Sequence, residues 1–322
     1  MARIAIVGAG AIGGWVGATL ARAGHDVSVL ARGATLEALL NGGIVLEKDG
    51  QVISAPVRAS ADAASLGEQD IVVIAVKAQS LPALAPTLAP LVSDKTIILP
   101  LLNGVPWWFA GEDEPLISVD PDGVLARSLP FAQVIGCVVH ASASVVSPGR
   151  AMLRMGDRLI LGEPAGGRSE RVEAVAALIL GAGLPAVISE NVRLEIWYKL
   201  WGNMTVNPIS ALTLATADRI LDDPLVSRFI LAIMAEARAI GAAIGCPIEQ
   251  SGEDRNTVTR KLGAFKTSML QDVEAGRSIE LDALLAAPRE IAARLGQPVP
   301  AIDALLGLTR LMGSSRGIYP GT

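Results

Sequence analysis

Six residues near the amino terminus, Gly8-Ala9-Gly10-Ala11-Ile12-Gly13, constrain this chain more than any others. They stand between a buried-strand pattern at 3–7 and a helical pattern at 11–23, and a second strand pattern follows at 26–31. Strand, helix, strand requires a crossover and therefore a parallel sheet. At this spacing Gly8 permits a tight turn, Gly10 lets a pyrophosphate approach the backbone, and Gly13 lets the helix pack closely on the strand, with the helix N-terminus facing the anion. Ala9, Ala11 and Ile12 complete the loop. A glycine turn with no ligand is the alternative, and it would not need three glycines at these intervals.

The second strand runs into Leu30-Ala31-Arg32-Gly33. A chain built for NAD carries an acidic residue there to bond the ribose 2′-hydroxyl, whereas Arg32 can hold a 2′-phosphate through two aligned hydrogen bonds. NADP is the expected cofactor; a solvated loop arginine is the alternative. Lys77 follows a third strand pattern at 71–76 and is a candidate phosphate contact, because ligands of doubly wound sheets bind at the C-terminal ends of the strands. Asn103-Gly104 follows a fourth at 96–101, where an amide reaches cofactor or substrate or simply makes a turn.

The continuous apolar runs at 71–76 and 96–101 read as strands covered on both faces, with a helix at 81–91 between them despite its prolines. From 134 the pattern changes to short β pieces at 134–146, 151–155 and 159–162, read as an edge of the same sheet. A helix at 171–182 and a short strand at 186–189 follow, and beyond 190 almost everything reads as helix to 312. The expected fold is an α/β Rossmann domain with a doubly wound parallel sheet over 1–188, followed by an all-α domain over 189–322. Residues 106–130 hold two tryptophans and an acidic cluster in a long connection, read as a lid or a subunit contact in a homodimer. The tail, 314–322, has no periodicity and reads as frayed.

Composition narrows the function. The chain has 322 residues, 51% of them hydrophobic, and a net charge of −5, so it holds material for two cores and no diffuse attraction to nucleic acid or anionic lipid. Mean hydropathy is positive at +0.46, yet the apolar runs are too short to span a bilayer. No signal peptide pattern opens the chain, so the cytoplasm is the expected location. Cys137 and Cys246 sit in apolar surroundings and read as reduced core residues, and two histidines without Cys/His spacing give no metal site.

The helical domain begins with Glu195-Ile196-Trp197-Tyr198-Lys199-Leu200-Trp201-Gly202-Asn203-Met204-Thr205-Val206-Asn207-Pro208. Lys199, Asn203 and Asn207 stand at i, i+4 and i+8, so an ammonium and two amides share one helical face, with Pro208 expected to kink or end the helix. A surface pair of Lys199 with Glu195 is the alternative. Further on, Thr267-Ser268-Met269-Leu270-Gln271-Asp272 precedes Gly276, after which Ser278 is read as the cap of a new helix carrying Glu280 in its first turn. There Glu280 does no more than favour the helix end, or it does chemistry.

Together the glycine loop, Val76-Lys77, Asn103-Gly104, the Trp197 to Pro208 spacing and the run from Ser268 through Gly276-Arg277 to Glu280-x-Asp282 resemble the ketopantoate reductase (2-dehydropantoate 2-reductase) family from end to end. The resemblance implies an N-terminal Rossmann domain, a helical C-terminal domain and a site in the cleft between them. It implies Lys199 as general acid and Glu280 as the partner of the substrate hydroxyl. Asn203, Asn207 and Ser268 hold the substrate, Asn103 lies near the nicotinamide, and Arg32 and Lys77 grip the adenosine phosphate. A lysine suits the first role, since hydride arriving at a carbonyl carbon builds charge on oxygen and a lysine is protonated at neutral pH. Leu102 departs from the family, which commonly has glutamine before Asn-Gly, and 106–130 is longer than usual.

The resemblance implies NADPH-dependent reduction of ketopantoate to pantoate, on the way to pantothenate and coenzyme A. A paralogue acting on another small 2-oxo acid would carry the same machinery. A non-catalytic NADP sensor would need only the first domain's contacts, and the retained Lys199, Asn203, Asn207, Ser268 and Glu280 argue against it.

Overall fold

The computed structural model describes residues 1–320. The chain forms two compact units. The first comprises Met1–Leu102, Trp107–Pro115 and Asp122–Glu195; the second comprises Asn103–Pro106, Leu116–Pro121 and the chain from Ile196 onward.

Ten strands build the first unit: β1 Arg3–Val7, β2 Asp26–Leu30, β3 Ile44–Lys48, β4 Gln51–Ala55, β5 Arg58–Ser60, β6 Ile71–Ile74, β7 Ile97–Pro100, β8 Gly136–Ser147, β9 Arg150–Gly162 and β10 Ala186–Ile188. Five of them pair in the order β5-β2-β1-β6-β7, all parallel, as the crossover requires. In β1 every residue after Arg3 is buried, and β6 is buried throughout, which is why both read as unbroken apolar runs. The helix expected over 81–91 is instead one α-turn, Leu81–Leu84, followed by the 3-10 stretch Ala85–Leu91, because Pro82, Pro86 and Pro90 remove backbone donors.

The stretch from 134 to 162 is not an edge of this sheet. Strands β8 and β9 pair antiparallel in a second sheet, where β9 also joins β3 and β10, and β3 joins β4. What read as two pieces at 151–155 and 159–162 is the single strand β9, passing through Gly156 at φ 65°. Helix Ala11–Arg22 lies between the sheets, so it is buried almost all round. A Cβ on Gly17 would sit 3.1 Å from both Ile6 of β1 and Ile44 of β3. The small residues of this helix are thus set by two packing partners, not one.

Trp107, Trp108 and Phe109 are 5%, 2% and 1% exposed, within the first unit. Trp107 Nε1 donates to the Leu129 carbonyl, and the Trp108 ring fills the space in front of Gly136. The two tryptophans therefore find cover within the chain, so their presence alone does not call for a lid or a partner surface.

The second unit is helical. Helix Val192–Thr213 brings the chain into it, and helices Ala217–Asp222, Pro224–Ala243, Gly252–Arg260, Ser268–Glu274, Ala287–Arg294 and Pro300–Ser315 follow. Trp197 and Trp201, one turn apart and fully buried, donate to the Ala237 and Met234 carbonyls of helix Pro224–Ala243. Pro208 does not end its helix. Burial of Trp197, Trp201, Met204 and Ile209 outweighs the roughly 3 kcal/mol that an interior proline costs.

The tail is not frayed through 320. Helix Pro300–Ser315 runs into it, Ile318 is 4% exposed, and the Ile318 carbonyl accepts from Ile279 N–H at 3.1 Å. Residues 321–322 lie outside the described residues. Cys137 and Cys246 are both buried, and neither takes part in a disulfide. Among the described residues no helix is long and apolar enough to cross a membrane.

Candidate active site

In the first unit the glycine loop bridges β1 and helix Ala11–Arg22. Gly8 has φ 91°, and a Cβ there would press on Val76 Cγ1 at 2.7 Å and the Ala75 carbonyl oxygen at 3.1 Å. At Gly13 a Cβ would fall 2.0 Å from the Gly8 carbonyl oxygen, so these two glycines are compelled by packing. Gly10 differs: nothing lies within 4 Å of its would-be Cβ. It is also the N-cap of the helix, with no side-chain cap and no acidic residue in the first turn. The loop thus offers open space and uncompensated N–H groups where a phosphate would sit, with Ala9, Ala11 and Ile12 half-buried around it.

The other nucleotide candidates stand on the same rim. Strands β2, β1 and β6 are adjacent and in register, Val7 lying opposite both Leu30 and Ile74. Gly8 therefore follows the end of β1, Arg32 comes two residues after β2, and Lys77 three after β6. Arg32 is exposed and extended at φ −135° and ψ 163°, the N-cap of helix Gly33–Gly42. Lys77 is half-buried at the N-cap of a 3-10 turn, Ala78–Ser80.

In the second unit Lys199, Asn203 and Asn207 are each half-buried on helix Val192–Thr213, while Leu200, Trp201, Met204, Thr205, Val206 and Pro208 around them are buried. The polar stripe is thus accessible between buried neighbours, as are Arg193, Leu194, Tyr198 and Gly202 elsewhere on the helix. Lys199 Nζ donates to Asn103 Oδ1 at 2.8 Å. The Glu195 carboxylate accepts from Ser189 Oγ at 3.4 Å.

Asn103 is held by its neighbours. Gly104 at φ 78° brings the loop so close to Ala283 that a Cβ would lie 2.5 Å from the Ala283 carbonyl oxygen, and Val105 N–H donates to that oxygen at 2.8 Å. Ala283 belongs to a π-helical turn, Asp282–Ala286, of the kind that often marks functional sites. Ser278 does not stand at the cap position: residues 277–280 are irregular and the helical backbone begins at Leu281, so Glu280 lies just ahead of the helix, half-buried.

Ser268 is exposed and opens helix Ser268–Glu274, whose N-cap is Thr267. Thr267 Oγ1 is 2.5 Å from Ser210 Oγ, which donates to the Asn207 carbonyl at 2.7 Å. This buried hydroxyl pair ties the Ser268 turn to the Asn207 end of the stripe. Pattern reading did not find it; the one available sign was a threonine at an N-cap position before a buried apolar turn. Tyr319, whose hydroxyl donates to Asp282 Oδ1 at 2.5 Å, was also missed, because nothing in the tail sequence announces a partner.

Residues 4–166 match the family described as ketopantoate reductase PanE/ApbA, and residues 191–313 match its C-terminal domain. A 2-dehydropantoate 2-reductase from Mesorhizobium japonicum is 44% identical over 98% of this chain and 99% of its own length. A crystal structure from Ralstonia solanacearum MolK2, of a protein carrying the ketopantoate reductase designation, shares 56% identity with a TM-score of 0.95, over 98% of this chain and 99% of that one. The ternary structure of D-mandelate dehydrogenase with NADH and anilino(oxo)acetate matches at TM-score 0.85 and 20% identity, over 98% and 99%, a likeness of fold alone.

Proposed function

The chain belongs to the ketopantoate reductase family, and we propose that it reduces 2-dehydropantoate to pantoate with NADPH, on the route to pantothenate and coenzyme A. It is an oxidoreductase acting on a CH–OH group, and its family uses a pyridine nucleotide. The observation that carries the finer reading is the Lys199 ammonium, half-buried and donating to Asn103 Oδ1 at 2.8 Å.

When bound, a reduced nicotinamide supplies the hydride to the carbonyl carbon. The residues suited to hold the dinucleotide are Gly8, Ala9, Gly10, Ala11, Ile12 and Gly13 at the pyrophosphate, with Arg32 and Lys77 at the 2′-phosphate of the adenosine. As the carbonyl C–O π bond breaks, its electron pair moves onto oxygen, and Lys199 gives that oxygen a proton. A hydroxyl and a neutral amine result, and the amine regains its proton from solvent. Asn103 keeps the ammonium directed, so little entropy is lost in aiming the donor. Glu280 bonds the substrate hydroxyl, while Asn203, Asn207 and Ser268 hold the rest of the 2-oxo acid.

Leu102, where the family commonly has glutamine, favours a second reading in which another branched or aromatic 2-oxo acid is preferred. Absorbance of NADPH and of NADH, followed with purified protein against a panel of 2-oxo acids, tests both. Ketopantoate should give the highest kcat/KM, and NADPH should be preferred. A higher kcat/KM with another 2-oxo acid supports the second reading, and equal use of the two nucleotides removes the role given to Arg32.

A further inference from the structure

Resting on the reading of Lys199 and Glu280 above, we infer that Tyr319 is a positioning residue for the reaction. Its hydroxyl ties the C-terminal segment to the chain that carries Glu280 and, through Ala283, to the loop that presents Asn103 to Lys199.

The connections run in sequence through the second unit. Tyr319 Oη donates to Asp282 Oδ1 at 2.5 Å, and the Ile318 carbonyl accepts from Ile279 N–H at 3.1 Å. The tail thus grips residues on both sides of Glu280. The Tyr319 ring is seated by shape as well: a Cβ on Gly313 would lie 2.7 Å from Tyr319 Cβ and 3.2 Å from Ile279 Cδ1. Next to Asp282, the Ala283 carbonyl accepts from Val105 N–H at 2.8 Å, and Gly104 lies against the same carbonyl. Asn103, one residue earlier, accepts from Lys199. Irregular backbone at 277–280 and a π-helical turn at 282–286 have weaker internal ladders than an α-helix. Such a segment needs outside ties to hold one geometry, and the tail supplies two. Burial and the neighbouring Asp282 carboxyl both push the Tyr319 phenol up from its ordinary pKa, so it remains a donor.

Tyr319→Phe removes the tie and keeps the ring in its seat. We expect kcat for the 2-oxo acid to fall about three- to tenfold, the range set by the net worth of one hydrogen bond. KM for NADPH and the Tm should stay close to the parent values. Asp282→Asn keeps a carbonyl oxygen to accept from Tyr319 and should hold kcat within about twofold. In the protein alone, hydrogen exchange at the Val105 and Ile279 amides should speed up in Tyr319→Phe and remain parental in Asp282→Asn. Parental kcat in Tyr319→Phe, a loss of Tm with kcat intact, or equal damage in Asp282→Asn would overturn the inference. A parent that reduced no 2-oxo acid would defeat the functional reading only. The exchange measurement would then still decide this one, since unchanged Val105 protection in Tyr319→Phe rejects it.

Discussion

Gly104 joins two parts of the proposed site by lacking a side chain. Its φ of 78° already disfavours any L-residue, and the atoms a Cβ would meet, the Ala283 carbonyl oxygen at 2.5 Å and carbon at 2.6 Å, are backbone that cannot swing aside. Gly104→Ala should therefore destabilise the protein by roughly 1–3 kcal/mol and shift the Asn103 loop enough to cost turnover as well. Thermal melts and steady-state rates check it; parental values in both would show that the loop does not depend on this approach. The tight packing at Gly8 and Gly13 was legible because their spacing is itself the signal. Gly104 was legible only as a turn, since Ala283 lies far along the chain. Gly17 was equally opaque: a helical glycine announces a close approach, but nothing local says that two strands approach it at once.

The start of helix Glu170–Gly181 is anchored by charge. Arg171 Nε donates to Glu163 Oε1 at 2.7 Å, further Arg171 nitrogens reach Glu163 Oε2 and the Ala132 and Val134 carbonyls, and Ser169 Oγ donates to Glu163. Its hydrogen bond from Arg171 holds the Glu163 carboxyl below the usual carboxylate value, against the upward push of burial. A depressed carboxylate contributes stability that is present above its unfolded pKa, about 4.3, and is lost as pH falls through the lower folded value. Glu163→Gln should therefore melt below the parent at pH 7, and the gap should close as pH is lowered past that value. A gap independent of pH would mean that the ion pair is not its source. The parallel strands β1, β6 and β7 were readable because burial on both faces leaves continuous apolar runs. The second sheet was not. Its β3–β4 hairpin turns on Asp49-Gly50, both at positive φ, a turn signal that was passed over. Strands β8 and β9 carry register shifts that broke their alternation into apparent fragments.

In the molecule as a whole, the glycine loop belongs to the first unit and the residues proposed to act on substrate belong to the second. The stripe of Lys199, Asn203 and Asn207 could be read from helical periodicity alone, because i, i+4 and i+8 fix one face wherever the helix packs. Which partners steady that stripe could not, since Asn103 and Thr267 come from distant parts of the chain. The Lys199 ammonium is proposed as the proton donor, and the decisive test is Lys199→Ala, assayed at saturating 2-oxo acid with NADPH dissociation measured in parallel. General acid catalysis is worth about 10²–10⁴-fold, so turnover should fall by that factor while NADPH affinity stays near the parent value. Turnover within about threefold of the parent, far less than a lost general acid costs, would contradict the assignment.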